Sequence, residues 1–136
     1  MDFPSGQGDV DPRLSRRDLT YLIMTYAREE SGFGEVVSSL SVWDFDEVDV
    51  LAILRELLGS KDIFIFEEIE GDEARKFDEI EARKAIERIF NEHEWLWPQV
   101  GLTHRGWERY QKGDFGLTPK RAQYLLFSDQ ANHRFR

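Results

Sequence analysis

The chain has 136 residues, a mass of 16.0 kDa, 40% apolar and 33% charged side chains, and a formal net charge of −9. That is the size of one domain with a core of its own, and the composition is neither that of a disordered chain nor that of a membrane protein. Cysteine is absent, which excludes disulfides, thiolate metal sites and cysteine nucleophiles.

Residues 1–14 read as a flexible leader, with Pro4, Gly6, Gly8 and Pro12. They lack the basic-then-apolar pattern of a signal peptide, so the cytoplasm is the expected address. A single α+β domain is expected over 15–136. Ser15, with Asp18 three residues on, has the spacing of a capping box, and Leu19, Leu22, Ile23 and Tyr26 follow on one helical face. This predicts a helix over about 16–30, stopped by Gly32. Gly32-Phe33-Gly34 reads as a turn, and 35–40 as a short second helix.

Asp44 is the expected cap of the next helix, over about 46–58. Val50, Leu51, Leu54, Leu57 and Leu58 give it a broad apolar face that Gly59 ends. Residues 62–69 contain Ile63-Phe64-Ile65-Phe66 and read as a strand, closed by the turn Glu70-Gly71-Asp72-Glu73. Asp78 caps a helix over about 78–91 whose inner face is Ala82, Ile86, Ile89 and Phe90. Trp95-Leu96-Trp97 is expected as a second strand, which Pro98 ends or confines to an edge. Thr103 suits an N-cap, with Leu102 and Trp107 at the positions of a hydrophobic staple. That helix runs to Lys112 and stops at Gly113. Pro119 opens a last helix whose apolar face is Ala122, Leu125 and Leu126. Leu51, Leu54, Ile86, Ile89 and the Trp107 ring are expected in the core.

Helix, short helix, helix, strand, and later a strand running into Leu102-Thr103-x-x-Gly106-Trp107 with Tyr110 behind, resembles a winged helix-turn-helix domain. The resemblance implies an α+β fold, mostly helical, with a small antiparallel sheet and a winged-helix-like core. The chain departs from the pattern in two places. A helix near 78–91 interrupts the two wing strands. The segment at the recognition-helix position carries Asp46, Glu47, Asp49 and Glu56 against Arg55, whereas a helix entering the major groove needs donors toward phosphates and bases.

No motif singles out a catalytic, cofactor or metal site. His93-Glu94 begins the zinc helix pattern, but position 97 is Trp. Asp44-Phe45-Asp46 begins like a calcium loop, but Asp49 stands where the obligatory glycine would be. Asp114-Phe115-Gly116 matches a kinase motif in a chain too short to be one. Carboxylates are abundant and no pair is distinguished, so an enzyme using carboxylates has the least support.

Charge is the strongest functional signal. Residues 29–94 hold 20 acidic and 7 basic side chains, while residues 95–136 hold 3 acidic and 7 basic. An acidic face repels phosphates and speeds encounter with basic partners. The expected partner-binding residues are Asp46, Glu47, Asp49, Glu67, Glu68 and Glu70, with Trp95 and Trp97, because Trp is enriched at interfaces. The basic C-terminal residues Arg105, Arg109, Lys112, Lys120 and Arg121 are expected to pair within the chain. The expected function is a non-catalytic, acidic cytoplasmic protein that binds a basic protein partner. An immunity protein or antitoxin that inhibits a nucleic-acid-binding enzyme would fit. The runner-up is a winged-helix regulator that binds DNA through the basic C-terminal region. No cofactor, metal or membrane is expected.

Overall fold

The computed structural model describes residues 10–91 and 98–134. Among these, six helices and three strands are laid out around α1 (Arg16–Arg28). Its residues from Leu22 to Ala27 are all buried, because α3 (Glu47–Gly59), the sheet, α5 (His104–Lys112) and α6 (Pro119–Arg134) pack against it from different sides. Ser15 and Asp18 close the expected capping box. The stop differs from the sequence expectation. Glu30 takes the left-handed conformation (φ 56°) that ends α1, and Gly32 is instead the N-cap of α2 (Phe33–Leu40). Phe33, expected in a turn, is therefore a fully buried helical residue.

Asp46, not Asp44, caps α3: its carboxylate accepts from the Val48 N–H at 2.9 Å. Asp44 has another task. Its carbonyl accepts from Leu14 N at 2.8 Å and its N–H donates to the Pro12 carbonyl at 3.2 Å, so it anchors the chain that precedes α1. Leu14 is buried, and the packed chain begins before the Ser15 cap. Leu54, Ile86 and Ile89 lie in the core as expected, while Leu51 is half-buried against it.

The sheet is antiparallel, in the order β2-β1-β3, with β1 at Ile63–Glu67, β2 at Arg75–Lys76 and β3 at Gln99–Leu102. Ile63 faces Leu102 and Phe66 faces Gln99 across one pair; Phe66 faces Lys76 across the other. The second strand expected at Trp95-Leu96-Trp97 lies outside the described residues, and the pairing strand starts just after Pro98. On its other edge β3 takes a further bridge, with Val100 N donating to Ser31 and Phe33 N donating to Pro98. Gly71 turns the β1–β2 hairpin at φ 78°.

The helix expected over 78–91 is α4 (Glu79–Glu87), followed by turns, and its Asp78–Glu81 capping box is formed. It packs across α3. Arg55 donates to both carboxylate oxygens of Glu87 at 2.6 and 2.7 Å, and the Phe45 and Phe90 rings lie 6.2 Å apart. Thr103 caps α5 and Gly113 ends it in the left-handed conformation, both as expected. Thr118 caps α6 through the Arg121 N–H.

Candidate functional site

Three places carry concentrated charge: the start of α3, the β1–β2 hairpin, and the outer face of α5. The expected partner-binding acids do not form one surface. Asp46, Glu47 and Asp49 sit at the start of α3, and Glu67, Glu68 and Glu70 sit at the end of β1 and in the hairpin. α4 separates the two groups. Its N-terminal end is tied to the hairpin through Arg75, which bonds Glu67 at 2.9 Å and Glu81 at 3.1 Å. Its other end lies against Arg55 and Phe45. A nine-residue helix is about 13 Å long, and the exposed residues of this one include Arg83, Lys84 and Arg88 nearby, which interrupt the acidic field.

Many of the acids already have a cation. Asp49 and Glu56 share Arg16, Glu67 and Glu81 share Arg75, Glu79 takes Arg83 and Glu87 takes Arg55. Hydrogen bonds from Arg55 and Arg75 hold the Glu87 and Glu81 carboxyls below the usual carboxylate range. Asp46 spends one oxygen on its cap. The hairpin is different. Glu68, Glu70, Asp72 and Glu73 are exposed and have no cationic partner among the described residues, and Ile69 between them is 40% exposed. A second exposed group surrounds the start of α3, where Asp44, Asp46 and Glu47 lie near the exposed Val42 and Val48. Trp95 and Trp97 lie outside the described residues.

Of the basic C-terminal side chains expected to pair within the chain, Arg105, Arg109 and Arg121 do so, whereas Lys112 and Lys120 have no carboxylate within 4.0 Å among the described residues. Arg121 is buried. It bonds both oxygens of Asp18, at 3.1 and 2.8 Å, and the carbonyls of Asp11 and Arg13. Burial alone would raise the Asp18 carboxyl, but the donors from Arg121 and Ser15 outweigh it and hold the group below the usual range. Arg109 donates to Asp62 at 2.8 Å, and Arg105 stands 3.5 Å from the same carboxylate.

Asp62 is the residue that the sequence did not disclose. It is 1% exposed, and its Oδ2 also accepts from the Ser60 hydroxyl at 2.6 Å. Its Oδ1 accepts no hydrogen bond among the described residues. In the sequence it is one more acid before a strand, and only the docking of α5 across the α3–β1 turn places two arginines over it. That docking is close. The Thr103 hydroxyl donates to the Lys61 carbonyl, and a Cβ at Gly106 would lie 1.9 Å from the Asp62 carbonyl oxygen.

α5 turns Gly106 inward and leaves the Trp107 ring 40% exposed, so Trp107 is not the core side chain expected of it. One turn on, Tyr110 stacks on Tyr21 at 5.9 Å and meets the Thr25 hydroxyl at 2.8 Å. Burial beside Tyr110 pushes the Tyr21 hydroxyl up to about 12. The outer face of α5 and the turn after it line a cleft of about 400 Å³, bounded by His104, Arg105, Glu108, Arg109, Lys112 and Asp114. Among the described residues no three His, Asp or Glu side chains gather into a metal-holding group, and no helix is long and apolar enough to cross a membrane. Comparison with protein-family models, with curated proteins and with solved structures found no match to this chain.

Proposed function

We propose that this chain is a non-catalytic, acidic cytoplasmic protein that meets a basic partner through its β1–β2 hairpin. An inhibitor of the immunity or antitoxin type, directed at a nucleic-acid-binding enzyme, is the form of that function its chemistry fits best. The observation that carries the reading is the contrast in ion pairing. Asp49 and Glu56 of α3 and Glu79, Glu81 and Glu87 of α4 are paired with Arg16, Arg83, Arg75 and Arg55, whereas Glu68, Glu70, Asp72 and Glu73 have no cationic partner among the described residues on a turn that also exposes Ile69, and Asp46 and Glu47, likewise without a cation, flank the cap of α3. Carboxylates without counter-ions around an apolar tip suit a site that normally takes phosphates, because they present negative charge at low internal cost.

The placement of α4 supports the same reading. In a winged-helix arrangement α3 would be the helix that enters the groove of DNA, and the region between β1 and β3 would be the wing. Here that region supplies α4, which lies across α3 and engages Arg55 with Glu87. A helix so covered and so acidic does not suit a phosphate-lined groove. The basic outer face of α5 favours a second reading, DNA binding by a route other than α3.

The test compares the wild type with a hairpin variant carrying Glu68→Gln, Glu70→Gln, Asp72→Asn and Glu73→Gln. Both are used as bait in extract of the native host at low and high salt. The wild type should retain a basic nucleic-acid-binding protein at low salt, the variant should lose it, and both should melt alike. Equal retention by the two baits would overturn the hairpin assignment. A salt-sensitive shift of duplex DNA, unchanged by the hairpin substitutions, would favour the second reading.

A further inference from the structure

We infer that the cleft on the outer face of α5 is a binding site for a phosphate group carried on a larger molecule. The cleft stands apart from the acidic hairpin, and its chemistry is the reverse. Arg105, Arg109 and Lys112 line it, together with His104, Glu108 and Asp114. Glu108, with the His104 Nε2 at 2.9 Å, and Asp114 are the two carboxylates that share the cleft with the three cations.

The arrangement is organised from behind. Asp62 is 1% exposed and lies under the two arginines. It takes Nη1 of Arg109 at 2.8 Å, while Arg105 Nε stays 3.5 Å from the other oxygen, Oδ1, which is buried and accepts no hydrogen bond among the described residues. The guanidinium of Arg109 lies near the Phe115 ring, 5.9 Å from its centre, which further fixes its plane. Arg109, held by a carboxylate and lying near a ring, keeps most of its donors available, and Arg105, 71% exposed and 3.5 Å from the same carboxylate, keeps its own. Fixed, forked donors match phosphate oxygens, and Lys112 adds a point charge. At about 400 Å³ the cleft exceeds the needs of inorganic phosphate and lies in the range of small-molecule sites. The phosphate should therefore be an ester or anhydride, either of a small molecule or of a nucleic-acid backbone.

Calorimetric titration of the whole protein with pyrophosphate, with adenosine diphosphate and with a short DNA duplex tests this. Binding of either small ligand identifies a small phosphate compound. Binding of the duplex alone identifies the backbone as the source. In either case Lys112→Gln and Arg105→Gln should each weaken binding about tenfold, Lys120→Gln should leave it unchanged, and affinity should fall with salt. Arg109→Gln exposes the protein to instability, since it takes a partner from Asp62. Lys112→Gln avoids this, having no such role, and its melting temperature should equal that of the wild type. The inference fails if none of the three ligands binds, or if binding survives both Lys112→Gln and Arg105→Gln.

Discussion

Gly106 sits against the carbonyl oxygen of Asp62 so closely that a methyl group in place of its hydrogen would lie 1.9 Å from that oxygen. The contact is backbone to backbone, so no side chain can rotate away to relieve it. It fixes the distance between α5 and the α3–β1 turn, and with it the position of Arg105 and Arg109 over the Asp62 carboxylate.

Gly106→Ala should therefore be far more damaging than an ordinary helical Gly→Ala change, which is favourable by about 1 kcal/mol in propensity. The clash reverses that sign. A loss of about 3 kcal/mol or more is expected, at the upper end of overpacking effects. Urea denaturation reads it directly, and a midpoint at or above that of the wild type would disprove the close approach.

Thr103 caps the same helix and also donates to the turn. Thr103→Ala should cost about 1–2 kcal/mol, and Thr103→Ser should recover most of it, since the hydroxyl carries both contacts. An alanine variant as stable as the serine variant would show that the methyl group, and not the cap, matters.

Trp107→Ala should leave stability within about 1 kcal/mol of the wild type, as surface substitutions do, because the ring is 40% exposed. Phe33→Ala, at a ring with no exposed surface, should cost about 3–5 kcal/mol. Equal midpoints for the two variants would show that Trp107 is held in the core after all.

The Asp18–Arg121 pair gives a dependence on pH. The Asp18 carboxyl is lowered in the folded chain from its ordinary value of 3.8. A lowered folded value means that its contribution is complete above the unfolded value and is lost as pH falls through the folded one. Acid titration of stability should thus show a decline below about pH 4, and Asp18→Asn should flatten it. At neutral pH the same substitution takes from the buried Arg121 the carboxylate that it bonds through two nitrogens, at a cost of about 3 kcal/mol. An unaltered acid limb in Asp18→Asn would assign the decline to other carboxylates.

If the proposed basic partner is the right one, its association rate should depend on the hairpin more than on the start of α3. Asp46 is committed to a cap and Asp49 to Arg16, so reversing them disturbs α3 as well as the surface field. Charge reversal at Glu70 and Asp72 should slow association with little effect on dissociation, and the rate should fall steeply with salt. A rate flat across that salt range would exclude electrostatic steering.

Local chemistry determined a good part of this molecule. Ser15, Asp78 and Thr103 cap helices, and Gly113 ends one, because each of these roles is settled within four residues along the chain. The α+β class follows likewise from the change of period between the helical faces and Ile63-Phe64-Ile65-Phe66. Other features were decided by contacts remote in sequence. Asp44 and Asp46 are equivalent as candidate caps until the chain at Pro12 and Leu14 claims the Asp44 backbone. Trp107 had the spacing of a staple, but the helix must turn Gly106 toward Asp62, and that rotation sends the large ring outward. The acids of the middle segment read as one field, yet α4 divides them and the arginines neutralise one part and spare another. Asp62 is an ordinary acid in the sequence and becomes the anchor of two arginines only where α5 crosses it. Capping and periodicity act over a single helical turn, whereas charge pairing and burial depend on which surfaces the fold brings together.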